Sequence, residues 1–505
     1  MISAVVVSSL ACATLLPAPT ATPRPTEIAA VATATFTETA PSATPTPTDT
    51  APPTLTPTAT PTETATPTQH PPTRTALPVV DGVRECAYVP GVSVPAEMPA
   101  EVLVQFTPTP YPLPTSPPNT ARDPAVVQQH LDIFAEFADI IEQEYVYPDY
   151  RGVDWPEVRA RYKELIAGGL SDDDFYLALN LLLGELGDNH SNVQSPEQVA
   201  EQQSRFEGSN DYVGIGAVVR SMADTGRAVI IYTFLSGAAH EAGLRGHDSI
   251  LAVDGVSVLD QDGALVDVLR RAEGTTVTLT VQRPGEAAYD LTLTRRRITG
   301  AAPVDFCVVP GTRVGYLFLP GLNDRTIPDQ VREALRLMTL SAPLDGLILD
   351  NRQNGGGANT VLEAILGFFT AGTHGYFVSR DATRPLEIVP EPIGNSQSVP
   401  LVVLVDVNTA SYGEVLSGVL QGVGRATVLG QTTVGNVETL WAYDFEDGSR
   451  AWIAREAFQF PGQEVGLWEE TGIVPEVLLP TRWDLFTEAT DPALAEALLV
   501  LGFDP

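Results

Sequence analysis

The stretch PLVVLVDVNTASYGEVLSGVLQGVGRATVLGQTTVGNVETL, Pro400 to Leu440, decides how the chain is read. Leu401 to Val405 is an apolar run without alternation, the pattern of a strand buried on both faces. A polar turn from Asp406 to Ser411 follows. Val415, Leu416, Val419, Leu420 and Val423 then recur at the spacing of one helical stripe, and ATVLG (426–430) predicts the next strand. Ser411 falls where the strand gives way to the helix, a position that predicts a hydroxyl at an exposed rim beside helix N–H groups. Glu414, three residues on, makes the same serine half of a capping box. Taken alone, the stretch favours the cap over a nucleophile.

Around it, VGYLFLP and LDGLILD read as further buried strands and Thr360 to Phe369 as a helix, so Arg313 to about Leu479 follows an α/β pattern. NRQNGGGAN (351–359) sits between a strand and a helix, where glycines free backbone N–H groups to face an oxyanion or a phosphate. No GK[ST] follows and GxGxxG spacing is absent, which weighs against a nucleotide. From Tyr212 the period is that of strands: YVGIGAVV, AVIIYTF, a turn-rich AGLRGHDSILAVDG, a predicted helix from Gly263 to Arg271, then TVTLTVQRP and YDLTLTRRRI. This order resembles a PDZ domain over about Ser209 to Ile298. The resemblance implies that Gly214, Ile215 and Gly216 capture a peptide carboxylate while the peptide adds as a strand; the alternative is a docking module without a free groove.

Before this insert the pattern is helical. One apolar stripe runs from Val126 to Tyr145; Trp155 to Ile166 and Phe175 to Leu186 predict two more helices, the last opened by SDDD (171–174). Gly187 ends it, and Asp188-Asn189-His190-Ser191 forms the following turn. A histidine in such a turn is ordinarily a surface polar residue, but its place at a domain edge keeps a catalytic role open. His130 lies near the apolar stripe, where packing accounts for it.

Composition sets the compartment and the partners. Of 505 residues, about Leu16 to Leu77 is dominated by Thr, Pro and Ala, too poor in apolar side chains to offset chain entropy, and reads as a disordered stalk open to O-glycosylation. MISAVVVSSLACATLL ahead of it is too short to span a bilayer and lacks a basic start; Ser9 to Cys12 approximates a lipoprotein cleavage box, with a plain secretory signal or a misassigned start as the alternatives. Lipidation at Cys12 would tether the protein to a membrane. Cys86 and Cys307, in CAYVPG and CVVPG, could pair in an exported protein. A net charge of −34 excludes nucleic-acid and anionic-lipid surfaces as partners. His240-Glu241 begins an HExxH-like run that Leu244 breaks, and neither remaining cysteine carries a protease signature, so no metal or cofactor is expected.

Taken together, the helical region, the insert, GLILDNRQNGGG, TASYGEVLSGVLQGVGRATVLGQTTVG and TGIVPEV resemble the S41 serine peptidases, the carboxyl-terminal processing or tail-specific proteases, over roughly Arg122 to Leu479. The resemblance implies an α/β peptidase core at 299–482, a helical domain at 122–207 and a PDZ-like domain at 208–298. A signal or lipoprotein anchor at 1–15, a stalk at 16–121 with a short ordered segment around 81–106, and a C-terminal helix at 483–505 complete the expected organisation. It makes Ser411 the nucleophile, with the N–H groups of Gly356 and Tyr412 as the oxyanion hole and Tyr412 narrowing the site. Where the processing branch carries its lysine base this chain has Asn436, and Leu440 replaces a helper glutamine. An amide carries no basic nitrogen, so the Ser–Lys mechanism is excluded.

Two readings remain. In one, His190 is the base, as in lysine-free branches resembling tricorn-type and lantibiotic-resistance proteases, with Glu469 of EETGIVPE in the orienting role and Ser191 on the wrong side of the histidine for its counterpart. An ordinary solvated loop acid is the alternative for Glu469. This reading gives an exported or membrane-anchored endopeptidase of the bacterial cell envelope acting on proteins or peptides. In the other, the site is dead and the protein binds peptides through the insert.

Overall fold

Six strands in the order Asp305–Val308, Val314–Phe318, Gly346–Asp350, Leu401–Val405, Thr427–Gly430 and Val477–Leu478 form the central sheet, the last five parallel and the first antiparallel. Every residue of Val314–Phe318, Gly346–Asp350 and Leu401–Val405 is buried, which is what their unbroken apolar runs require. Helices Ile327–Met338, Asn359–Phe369 and Tyr412–Gly422 contribute to one apolar core with this sheet. Trp483 and helix Pro492–Val500 belong to a second core that takes in Ile348, Val402 and Leu404. These neighbours alternate with Leu347, Leu349 and Val403, which lie in the first core, so the two cores occupy opposite faces of the sheet. The structure is a computed structural model that describes residues 79–80, 82–88, 123–260, 263–265 and 269–503. Cys12, the Thr/Pro-rich stretch and, apart from residues 82–88, the ordered segment expected around 81–106 lie outside the described residues.

A second sheet, ordered Thr383–Ile388, Gly372–Val378, Arg450–Gln459, Thr439–Asp444, is extended by Asn192–Gln194, which pairs antiparallel with Arg450–Gln459. The helices Pro124–Glu144, Trp155–Ala167 and Asp172–Glu185 pack on it through a core that combines Phe137, Tyr162 and Phe175 with Leu440, Trp452 and Ile453. Their starts are fixed locally: Asp123, Asp154 and Ser171 accept the N–H groups of Ala125, Glu157 and Asp174. A further helix, Pro196–Phe206, closes this region. His130 is buried and stacks on Phe175 with ring centroids 4.1 Å apart, a packing role.

The insert between helical region and core is entered and left through one two-stranded pair, Asp211–Gly214 with Arg296–Thr299. Its antiparallel sheet runs Tyr289–Thr294, Thr276–Gln282, Ser249–Val253, Arg227–Thr233, Ala217–Met222 around its own core, with Ala217–Met222 last in the order. The helix expected from Gly263 to Arg271 is corrected: Gly263 has φ 80°, Leu265 bridges Leu259, and none of the described residues in that span is helical. Arg295 Nε donates to the carbonyl of Leu269.

Cys86 and Cys307 form a disulfide, and Glu85 bridges Val308, so the segment 82–88 is fastened along the outer strand of the central sheet. Covering that edge removes unpaired backbone groups from the sheet. The glycine run is equally constrained. Gly357 has φ 151°, and a Cβ there would lie 2.0 Å from the Leu322 carbonyl carbon. Because the obstacle is backbone, Gly357→Ala is expected to cost more than about 3 kcal/mol in chemical denaturation or to abolish soluble protein.

Candidate active site

Ser411 ends the Asp406–Ser411 turn with φ 54° and ψ −130°, a conformation rare for a residue bearing a Cβ and one that persists where surrounding contacts enforce it. Those contacts converge on Glu414. Its carboxylate accepts the N–H of Ser411 at 3.0 Å, of Gly435 at 2.7 Å and of Asn436 at 2.9 Å, and the hydroxyl of Thr433 at 2.5 Å. The Ser411 N–H also reaches the Asn436 carbonyl at 2.9 Å. The acid half of the expected capping box therefore forms, but the Ser411 hydroxyl has no hydrogen-bond partner among the described residues, so the serine is not spent as a cap. One expectation needs correction: Ser411 is 2% exposed, lying beneath the glycine run rather than at an open rim.

His190 is placed by its own sequence. Asp188 accepts the N–H groups of His190 and Ser191, both at 2.8 Å, and the Ser191 hydroxyl at 2.6 Å. Ser191 Oγ in turn accepts the Ala454 N–H at 2.8 Å, locking the turn to the second sheet. Ser191 thus builds the turn and does not orient the ring. His190 Nδ1 lies 3.6 Å from Glu438 Oε2, and both side chains are buried. Glu438 is two residues beyond Asn436, whose carbonyl holds Ser411. The segment 436–438 therefore has the serine bound at one end and the histidine beside the other.

Glu438 was not singled out by sequence reasoning, although an acid between Val437 and Leu440 at the start of an apolar strand was a signal. It accepts the Tyr147 hydroxyl at 2.8 Å and Arg151 at 3.1 Å. Glu469 lies behind it, accepts the Val437 N–H at 2.6 Å, and is 3.8 Å from Arg151. Its side chain is 11% exposed, so the solvated-acid alternative is corrected. Burial raises both acids. In Glu469 the negative Glu438 adds to burial, holding the carboxyl well above its usual range; in Glu438 the adjoining Glu469 carboxyl, the His190 imidazole and the Tyr147 hydroxyl outweigh burial and hold it below that range. The two carboxyls are thus pushed apart, the one nearer His190 toward its charged form and Glu469 toward its neutral form.

Gly356 is packed on the nucleophile: a Cβ there would meet Ser411 Cβ at 2.6 Å, Ser411 Oγ at 3.0 Å and Tyr412 N at 3.0 Å. Its N–H donates to Asn354 Oδ1 at 2.9 Å, so this expected oxyanion donor is engaged in the present arrangement. The Tyr412 side chain does not narrow the site, correcting that expectation; it is fully buried in the core, its hydroxyl 3.0 Å from that of Thr439 and its ring facing Phe377. Ile215 is buried in the core of the insert, and a Cβ at Gly216 would meet Gly237 at 2.5 Å; no direct contact from Gly214, Ile215 or Gly216 to Ser411 is described. Asn436 is 1% exposed with both side-chain polar atoms unsatisfied among the described residues. The grouping of Cys86, Cys307 and Glu488 offers no thiolate to a metal, because its sulfurs are joined to each other.

A serine on a strained strand-to-helix turn beneath a glycine run, joined through the 436–438 segment to a buried histidine–carboxylate pair but making no hydrogen bond to that histidine, has the parts of a serine hydrolase. The chain matches peptidase family S41 over residues 313–479 and the tricorn protease C1 domain over 127–184. It is 28% identical over 363 residues to the carboxyl-terminal-processing protease of Synechocystis sp., covering 70% of this chain and 82% of that one. It is 28% identical over 349 residues to carboxy-terminal processing protease CtpB of Bacillus subtilis, covering 65% and 70%. An S41 protease structure from Bacteroides fragilis shares the fold at 14% identity, with a TM-score of 0.51 over 73% of this chain and 97% of that one. Residues 313–479 thus carry a peptidase family S41 domain, and the chain is similar to serine-type carboxyl-terminal processing peptidases of that family.

Glu414 supplies a test of how the site is assembled. Burial raises its carboxyl to about 7 against its four donors, above the 4.5 of an ordinary glutamate. The folded state therefore keeps a proton that the unfolded chain releases, and this group makes stability fall as pH rises from about 4.5 to about 7. Glu414→Gln should flatten that slope in denaturation curves taken across the interval. An amide replacing an oxygen that accepts two donors should also cost about 2–4 kcal/mol.

Proposed function

We propose that the protein is an extracytoplasmic serine endopeptidase acting on exported proteins or peptides, with Ser411 as nucleophile, His190 as base and Glu438 as the carboxylate facing His190. The observation that carries this reading is the 3.6 Å approach of His190 Nδ1 to Glu438 Oε2, on the segment whose Asn436 carbonyl holds the Ser411 N–H. A carboxylate at Nδ1 leaves Nε2 as the nitrogen that takes the serine proton and returns it to the leaving amine. Glu469, the acid expected to orient the histidine, acts one step further out as the proton-bearing partner of Glu438. The Cys86–Cys307 disulfide supports an oxidising compartment.

In this reading the peptide adds along the Ala217–Met222 edge, with the Gly214–Gly216 loop receiving its terminal carboxylate. The scissile carbonyl enters beside Ser411, and the developing oxyanion draws the N–H groups of Gly356 and Tyr412. For Gly356 this means displacing Asn354 Oδ1, a neutral acceptor that a negatively charged oxygen outcompetes. The engaged Gly356 N–H and covered serine favour a second reading, a peptide-binding protein without turnover.

A fluorophosphonate probe separates the two. Labelling of wild type that is lost in Ser411→Ala is expected, and absence of labelling under all conditions favours the binding protein. His190→Ala should slow labelling and proteolysis of an unfolded protein substrate by about 10²-fold or more, and a variant retaining wild-type rates would refute His190 as base. Glu438→Gln should also lower both rates, while Glu469→Gln, which keeps a hydrogen-bond donor toward Glu438, should retain more activity than Glu438→Gln.

A further inference from the structure

We propose that Arg151 is the positioning residue for the His190–Glu438 pair: its guanidinium, delivered by a strained turn, lies against the buried Glu438 and Glu469 carboxyls and keeps Glu438 facing the histidine. The inference rests on the reading of His190 as the base.

The geometry is specific. Tyr150 and Arg151 both have positive φ, 51° and 54°, followed by Gly152 at 82°. Two successive side-chain-bearing residues in the left-handed region cost about 1–3 kcal/mol each, and such strain persists where the surroundings enforce it. Here the turn is held by Tyr150 N–H to the Tyr147 carbonyl at 3.0 Å, Gly152 N–H to the Asp149 carbonyl at 2.9 Å and Arg151 N–H to Asp149 Oδ1 at 3.2 Å. Its effect is to aim one guanidinium at three elements. Nη1 donates to the Gly187 carbonyl at 2.8 Å, at the base of the turn that carries His190. Nη2 donates to Glu438 Oε1 at 3.1 Å and lies 3.8 Å from Glu469 Oε1. The guanidinium also stacks 4.3 Å over the ring of Tyr147, whose hydroxyl donates to the same Glu438 oxygen.

A neutral side chain that merely stapled the two turns would need only the Gly187 contact. The buried acids require more, because a net negative charge without a counter-charge is expensive in that setting. The groups facing the pair are Tyr145 and Tyr147 after the first helix, Asp188 and His190 from the histidine turn, Glu414 from the nucleophile helix, and Glu438 and Glu469 themselves. Arg151 meets them as a permanent cation.

The sign of its effect follows. Without Arg151 the site takes up a proton more readily, on His190 or on the acid pair. Protonated His190 cannot accept the serine proton, and protonated Glu438 no longer supports the imidazolium that forms. Both outcomes move loss of reactivity to higher pH.

The test is the pH dependence of Ser411 labelling by a fluorophosphonate, which needs no known substrate. Arg151→Gln should shift the acid limb upward by about one pH unit, whereas Arg151→Lys, which keeps the charge, should hold the limb near its wild-type position while labelling more slowly. Arg151→Gln/Glu438→Gln, lacking both charges, should lose the upward shift. An unmoved limb in Arg151→Gln overturns the inference, since a purely structural role lowers rates at every pH alike. If thermal unfolding shows that Arg151→Gln does not fold, Arg151→Lys decides: a limb displaced by a full unit despite retained charge overturns it. His190→Ala labelled at wild-type rate would instead bring down the base assignment; His190→Ala inactive beside an unmoved Arg151→Gln limb removes only the role of Arg151.

Discussion

The buried carboxylate of Glu414 is the constraint on which the candidate site depends. Four donors from two separate segments meet its two oxygens, so the start of the nucleophile helix and the 433–436 segment cannot move independently. Burial disfavours its charge while the donors favour it, and the compromise leaves a carboxyl titrating near neutrality at the centre of the structure. That cost is tolerated because it fixes Ser411 in a backbone conformation a free turn would abandon. It also fixes Asn436, and through Asn436 the acid two residues on. Relaxing Glu414 would release both the serine and the carboxylate facing His190.

The proposed base, His190, is placed from the opposite direction. Asp188 folds the GDNHS turn on itself, Ser191 fastens it to Ala454, and the short strand Asn192–Gln194 continues the second sheet. Sheet pairing with Arg450–Gln459 carries the histidine from the helical region to the core, and Leu440, Trp452 and Ile453 pack the helices against the same sheet. The lysine-free site is thus completed by an interface between helical region and core, and its acids are buried by that interface. Arg151 reaches across it as well, which is why the electrostatics of the pair depend on both sides.

The fold was legible where burial imposes a pattern. Leu401–Val405 and the flanking apolar runs announced the parallel sheet, because strands covered on both faces leave no polar alternation. SDDD and Gly187 marked the ends of a helix for local reasons. The span from Gly263 to Arg271 misled, since its apolar spacing suits a helix but turns flank it and tertiary contacts use its carbonyls. In the candidate site, the S41 resemblance singled out Ser411 and His190, which stand in turns that their own neighbours build. Glu438 carries only a slight local signal, an acid at the start of an apolar strand, because its meaning comes from Tyr147, Arg151 and His190, about 250 to 290 residues away in sequence. The buried state of Ser411 was equally out of reach: a strand-to-helix turn specifies where a hydroxyl points, whereas what lies over it is decided by the distant glycine run.

That glycine run is held from both sides. On the core side, Arg352 is fully enclosed between Asp350 and Asp491, at 2.6 and 2.7 Å, with its guanidinium over Trp483. Trp483 in turn stacks on His247 of the insert at 4.0 Å, and His247 Nδ1 lies 2.9 Å from the Trp483 carbonyl. Arg220, on the last strand of the insert, reaches Asn408 at 3.3 Å and the Gln353 carbonyl at 3.5 Å. Gln353 itself sits at φ 64° and is bound to buried Asp406. The insert therefore touches Gln353, two residues before the first glycine, and Asn408 within the Asp406–Ser411 turn. A rigid-body shift of the insert would have to break contacts of Arg220 and His247, and those contacts end one residue short of Asn354, whose side chain engages Gly356. Whatever docks on the Ala217–Met222 edge thus binds a strand that is already mechanically joined to the loop above Ser411.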